Sequence, residues 1–375
     1  MNEIRVSKSC IGDQEIKAVV QVLEKGFLGM GSEVQRFEEE LSEFFGRTAL
    51  CCVNGTAALH LALQSIGINR GDEVLVQSLT YLASYQAITA CGAKPISCDV
   101  LSNAVQVDLA DAELKITPKT KAIMPVHYAG GVGDLTSIYE FAKKHNLRVI
   151  EDAAHAFGSS YKDAKVGSFG DISCFSFDGI KNITSGEGGC IVTNDEVVIR
   201  KIKDARLLGV EKDTEKRFAG ERSWDPDVNA QGWRYHMSDI MAAIGRVQLL
   251  NFNLLKSKRQ LLAKHYNLKL KNLSEITIFD HDFDLVVPHI YVVKLDHGID
   301  RKLLMHFLLN LNIQVGIHYK PNHLLSYFID KFSANLHVTE KLYPRLLTLP
   351  MHPDLEIKDI DFIVKSLREG IESAR

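Results

Sequence analysis

Between residues 48 and 195 the chain repeats one pattern: a short β-rich run, then apolar residues at helical spacing, then another run. The runs are "TALCCV", "DEVLVQS", "KPISCDV", "KAIMPVHY", "LRVIEDAA", "DISCFSF" and "GCIVTND". Between them lie "TAALHLALQSIG", "LASYQAITACG" and "DLTSIYEFAKKHN", with Gly or Asn close to their ends. Such alternation predicts an α/β sheet with crossover helices. Several runs are apolar nearly throughout, so their strands are expected to be buried on both faces. Ligand-binding residues then belong at the strand ends, where open α/β sheets leave a crevice.

From Met237 the spacing predicts one long helical stretch, "MSDIMAAIGRVQLLNFNLLKSKRQLLAKHYNLKL", opened by Ser238 as N-cap. "HIYVVKLD" and "IQVGIHY" follow as strands, with "DRKLLMHFLLNL" and "EIKDIDFIVKSLREGIESAR" as helices, an α+β layout. A chain of 375 residues exceeds the ~250–300 that one core usually serves. Two units are therefore expected, a large one over 1–245 and a small C-terminal one over 246–375. Residues 211–230 are polar and punctuated by Pro and Gly, and read as a long connection.

Charge narrows the partners. The net charge is −3 and no run of Lys and Arg forms a stripe able to neutralise a phosphate backbone, so nucleic acid is not expected. No stretch approaches the ~18 consecutive apolar residues of a membrane span, and "MNEIRVSKSC" lacks the apolar centre of a signal peptide. The expected location is the cytoplasm, away from membranes. Seven cysteines, without CxxC spacing and mostly inside apolar runs, read as buried thiols rather than as metal ligands or disulfides.

Three segments carry chemistry. In "CVNGTAALHLAL" a strand turns through Asn-Gly-Thr into a helix. Free N–H groups at a helix start make an anion site, with Gly55 allowing close approach and Thr56 and Ala57 offering N–H groups. The same residues also suit a plain capped helix. In "RVIEDAAHAFGS" an apolar strand ends on Glu151 and Asp152, with His155 beyond. An acid there needs a donor or a cation, and a protonated heterocyclic nitrogen would serve; helix capping by Asp152 is the alternative. In "SFDGIKNITSGEGG" Lys181 stands between Ile180 and Ile183 before a glycine-rich reversal, five residues after Ser176. Burial lowers a lysine's pKa and suits it to Schiff-base formation, although a structural lysine fits the local sequence too.

Together the segments supply a phosphate cradle, a carboxylate for a pyridinium nitrogen and a Schiff-base lysine, the parts of a pyridoxal 5'-phosphate site. Here the sequence resembles the DegT/DnrJ/EryC1/StrS sugar aminotransferases. The likeness runs from "GFLGMGSEVQRFEEELSEFFG" through "NGTAALHLAL", "GDEVLVQSLTYLAS", "VHYAGG", "EDAAHAFGS", "FSFDGIKNITSGEGG" and "HMSDIMAAIGRVQLL" to "IHYKPNHL". It implies the aspartate-aminotransferase fold (fold type I): a large domain around a mixed, mostly parallel sheet, with a small α+β C-terminal domain.

The resemblance further implies that Lys181 is the Schiff-base lysine and general base, and that Asp152 partners the pyridinium nitrogen. Gly55, Thr56, Ala57 and Ser176 fall on phosphate-binding positions. Tyr81 matches the aromatic that stacks on the cofactor ring, and His155 occupies a position, often Gln, that reaches the ring's 3'-oxygen. Tyr319 and His323 lie where the small domain closes on the site. Three departures stand out. The family's "SFHATK" is here "SFDGIK", which puts Asp178 and Gly179 beside the lysine, with Asp178 as a candidate substrate contact. The family's "GYNYRM" is here "GWRYHM", so Arg234 replaces the asparagine that reaches the cofactor phosphate of a neighbouring subunit, and His236 replaces the usual arginine.

By the same likeness, glutamate gives up its amino group, and a nucleotide-linked keto sugar receives it, in a homodimer with shared sites. The "GEGG" ending resembles members that aminate carbon 4 of a 4-keto-6-deoxyhexose; amination at carbon 3 is the alternative within the family. O-antigen, capsule or antibiotic sugar synthesis is the expected context. A sister group of dehydratases carries histidine in place of the lysine, which Lys181 argues against. From another class, a non-catalytic pyridoxal-phosphate protein would keep the fold without turnover.

Overall fold

A computed structural model describes residues 3–221, 224–329, 331–332 and 334–375. Each of the seven anticipated runs forms a strand: β1 (Thr48–Cys52), β2 (Glu73–Gln77), β3 (Lys94–Cys98), β4 (Thr120–Met124), β5 (Arg148–Asp152), then, after the short hairpin of β6 (Ser160–Tyr161) and β7 (Ala164–Lys165), β8 (Ile172–Ser176) and β9 (Gly189–Thr193). The seven pair in the order β1-β9-β8-β5-β4-β2-β3. Only β9 runs antiparallel, against both β1 and β8. The other six strands therefore run the same way and end on one edge.

Alternate side chains of each strand serve two cores, which is why several runs are apolar nearly throughout. Leu75, Ile123 and Val149 meet Phe37 and Phe45 on one face, whereas Val74, Val76 and Ile150 meet Leu59 and Leu63 on the other. Phe37 and Phe45 belong to the helix Ser32–Phe45, Leu59 and Leu63 to the helix Gly55–Ser65. Five cysteines (Cys51, Cys52, Cys98, Cys174, Cys190) are buried free thiols, and Cys10 and Cys91 are half-buried. Arg206, fully buried, is held by Glu38 and donates to the Cys51 carbonyl at 2.7 Å, while Glu38 accepts from the Cys51 N–H at 2.7 Å.

The long helical stretch is in fact two helices, Asp239–Leu250 and Phe252–Leu270. Ser238 caps the first, accepting from Met241 N–H at 3.3 Å. The break falls on Asn251, whose φ −90° and ψ 4° are not helical and whose side chain bonds Gln14 instead. Asparagine favours helix ends because its amide competes for nearby groups. Phe252 then turns into the aromatic cluster, with its ring centroid 5.1 Å from that of Phe157.

Beyond residue 270 a second, antiparallel sheet forms from β10 (Ile276–Ile278), β11 (Tyr291–Leu295) and β12 (Leu346–Leu349). "HIYVVKLD" supplies β11 as expected. "IQVGIHY" is not a strand: it makes isolated bridges, Ile313 to Ile4 and Gly316 to Thr348. Helices Arg301–Asn310 and Ile357–Ser373 pack on this sheet through Leu304, Leu308, Ile363 and Leu367. The connection over 211–230 contains a short helix, Asp213–Phe218; Arg222 and Ser223 lie outside the described residues.

Candidate active site

The ends of β2, β5 and β8, the start of helix Gly55–Ser65 and the segments around residues 289 and 318 enclose a cavity of about 450 Å³. Gly55, Thr56, Tyr81, Asp152, His155, Ser176, Asp178, Lys181 and Tyr319, all singled out by sequence, line it.

Asp152 closes β5. It is 5 % exposed and accepts hydrogen bonds from Ser84 Oγ (2.6 Å) and Ala154 N–H (3.2 Å). Burial raises its pKa above the ordinary carboxylate value, against the pull of Ser84, Ala154 and the Lys181 charge. A cation brought against it would restore the ionised form. Glu151, its neighbour, faces the other way and is answered by His127 Nε2 at 2.7 Å and by Tyr139 Oη at 2.6 Å. The two acids at the strand end therefore have separate partners.

Lys181 sits in the reversal between β8 and β9. Desolvation by the pocket walls lowers its pKa from 10.5 to about 8, with Asp178 and Asp152 opposing the fall. Nζ lies 3.4 Å from His289 Nε2. His155 accepts from Ala129 N–H at Nδ1 (3.3 Å) and faces Tyr319 Oη at Nε2 (3.1 Å). The Tyr81 and Tyr319 rings, 5.4 Å apart, flank the cavity mouth, where Tyr81 is half exposed.

The start of helix Gly55–Ser65 and the end of β8 approach closely. A Cβ on Gly55 would lie 2.8 Å from Ser176 Cβ and 3.1 Å from its Oγ, so only glycine lets the helix start meet the end of β8. Asn54 caps that helix by accepting from Ala57 N–H at 2.8 Å. Ala57, also singled out by sequence, is buried behind the lining with its N–H bonded to Asn54, whereas Gly55 and Thr56 line the cavity. His323 is also placed elsewhere. It is 2 % exposed, bonds Ser78 Oγ through Nδ1 at 2.7 Å, and does not line the cavity. Arg234 is exposed and outside the lining of its own chain's cavity.

Among the lining residues that the sequence reading did not single out are Asn54, Glu187, His289 and His318. Glu187 stands in the quoted "GEGG", but a glycine-rich turn gives no sign of which side chain points inward. His289 was absorbed into a strand pattern.

The donor set fits pyridoxal phosphate: backbone N–H groups and a serine at a helix start for an anion, a buried carboxylate for a ring cation, and a desolvated amine. Fold and site define a pyridoxal-phosphate-dependent aminotransferase. The model of the DegT/DnrJ/EryC1/StrS aminotransferase family matches residues 9–368, and the chain belongs to that family. It is 35% identical over 373 residues to the spore coat polysaccharide biosynthesis protein SpsC of Bacillus subtilis, covering 97% of this chain and 96% of SpsC. Helicobacter pylori PseC, an aminotransferase involved in the biosynthesis of pseudoaminic acid, superposes with TM-score 0.93 at 29% identity over 99% of this chain and 100% of PseC. The sugar aminotransferase Spr1654 of Streptococcus pneumoniae, in its pyridoxal-phosphate form, matches with TM-score 0.92 at 28% identity over the whole of both chains.

Proposed function

We propose that the protein transfers an amino group from glutamate to a nucleotide-linked keto-deoxy sugar, at carbon 4 of a 4-keto-6-deoxyhexose, within the synthesis of a surface or secreted amino sugar. The observation that carries amino transfer is the desolvated Lys181 amine in one cavity with the buried Asp152. The likeness to SpsC and PseC supports the sugar and the polysaccharide context. The "GEGG" turn supports carbon 4 over carbon 3 through its resemblance to family members that aminate carbon 4.

In this reading Gly55, Thr56 and Ser176 hold the cofactor phosphate, Tyr81 covers one ring face, and His155 reaches the 3'-oxygen. Bound pyridoxal phosphate supplies an electron sink for the α-carbon of the donor and carries nitrogen between the two substrates. Asp152 keeps the ring nitrogen protonated by remaining ionised against it. Lys181, as a neutral amine, would take the proton from the donor's α-carbon as a general base, its pKa lowered to about 8 and so near working pH. Lys181, Asp152 and the phosphate cradle come from the unit 1–245; His289, His318 and Tyr319 come from 246–375 and shut water out. Arg234, exposed in one chain, would serve the cofactor phosphate of a partner subunit in a homodimer.

The test is a screen of dTDP-, UDP- and GDP-linked 4-keto sugars with glutamate, with the new amine located by NMR. An amine at carbon 3 would replace the regiochemical reading; a protein that binds the cofactor yet never exchanges nitrogen would be the non-catalytic alternative.

A further inference from the structure

Three histidines surround the cavity end of Lys181, and their partners differ. His155 has both ring nitrogens bonded, to Ala129 N–H and Tyr319 Oη. His318 Nδ1 faces Thr348 Oγ1 at 2.9 Å. Among the described residues, His289 is the one with a ring nitrogen within hydrogen-bond distance of Nζ, 3.4 Å from Nε2. We propose that His289 is a positioning residue for the Lys181 amine: its Nε2 lone pair accepts from Nζ and so turns the amine's own lone pair toward the substrate. This rests on the reading of Lys181 as the reacting amine.

The scaffold behind the pair is built to hold it. Arg259, 1 % exposed, comes from helix Phe252–Leu270 and donates to carbonyls on both segments: Pro288 (3.3 Å) and His289 (3.1 Å) through Nη1, Ile180 (3.5 Å) and Lys181 (3.4 Å) through Nη2. Asn182 Nδ2 adds a second tie, to the carbonyls of Phe157 and Val287, each at 3.1 Å. The lysine and the histidine are thus fixed relative to each other through backbone, not only through their side chains.

Chemistry settles the direction of the contact. A lysine ammonium has N–H groups and no lone pair, so His289 can meet it only with an unprotonated Nε2, which puts the ring proton on Nδ1. Burial and the Lys181 charge hold the imidazole pKa well below its ordinary value, so the ring stays neutral and steers the amine instead of taking its proton. Nδ1 is buried with no partner among the described residues. An unpaired buried ring nitrogen is costly, and a structural histidine would be expected to have it satisfied. A free neutral amine at Lys181 keeps this contact, because it still has an N–H to give to Nε2 while its lone pair points away.

Two measurements test this. In the apoprotein with ¹⁵N-labelled histidine, the His289 Nε2 resonance near pH 7 should be that of an unprotonated acceptor and should move in Lys181→Met; a protonated Nε2, or a resonance that does not move, overturns the proposal. In the cofactor-loaded enzyme, His289→Phe should lower kcat of the glutamate half-reaction by about tenfold to a hundredfold, the scale of a misaimed reacting group. KM for glutamate should change by less than about threefold, since the loss falls on the chemical step. His289→Gln, which restores an acceptor, should recover most of the loss. A fully active Phe variant, or a Gln variant no better than Phe, overturns it. If Phe cannot fold, the Gln variant and the wild-type spectrum decide. If the parental enzyme shows no amine exchange, the reading of Lys181 fails, and the spectrum still reports on the contact.

Discussion

Replacing Lys181 by methionine should make the apoprotein more stable while destroying its activity. The lysine's pKa falls from 10.5 to about 8 on folding, a drop of about 2.5 pH units caused mainly by desolvation. At ~1.4 kcal/mol per unit, the ionised amine opposes folding by roughly 3 kcal/mol. Solvent reaching it through the open side of the cavity trims this to about 2–3 kcal/mol. The folded pKa lies below the unfolded one, so the penalty is complete below about pH 8 and fades as pH rises toward 10.5. Methionine fills a similar volume with no charge to bury. Urea unfolding of the two apoproteins near pH 7 should show the variant ahead by about 2–3 kcal/mol, and the lead should shrink to less than half near pH 9.5. A variant no more stable than its parent near pH 7, or a lead that does not change with pH, would refute the claim that the fold holds this amine against its solvation.

Asp152→Asn keeps the shape of the carboxylate but not its charge, and should slow the glutamate half-reaction in stopped-flow absorbance by at least about a hundredfold with the cofactor still bound. Gly55→Ala puts a Cβ 2.8 Å from Ser176 Cβ; titration of the apoprotein with pyridoxal phosphate should show affinity at least about tenfold weaker, since the cradle must open to admit it. Arg206→Ala strands the buried Glu38 carboxylate behind β1 and should cost about 3–5 kcal/mol in chemical denaturation, whereas replacing both partners by apolar residues of matching volume should cost far less.

Strands buried on both faces were legible because several runs are apolar nearly throughout, as in the "VLV" of β2, where neither face is left for water. Site residues tied to those strand ends, Asp152 and Ser176, could be read with them, since the topology of an open sheet carries them to one edge. Lys181 needed the other two segments beside it, because its local sequence suits a structural lysine as well. What escaped depends on contacts between distant parts of the chain. His289 reaches Lys181 across 108 positions, and the isolated bridges that replaced a strand at 313–319 depend on Ile4 and Thr348. The helix break at Asn251 was visible in principle, but periodicity continues across it and only the bond to Gln14 shows where the amide goes. The cap at Ala57 was hidden for a related reason: a side-chain cap and an anion compete for the same N–H groups, and Asn54 takes one of them.

The account rests on nitrogen passing from an amino acid to a sugar through the Lys181 site. The most direct measurement uses ¹⁵N-glutamate with the cofactor-loaded enzyme and a nucleotide-linked 4-keto sugar, and follows the isotope by mass spectrometry. The account predicts ¹⁵N in the sugar product from the parental enzyme and none from Lys181→Ala. Label that never leaves glutamate with any of the 4-keto or 3-keto sugars offered, or label that reaches the sugar equally well without Lys181, would contradict it.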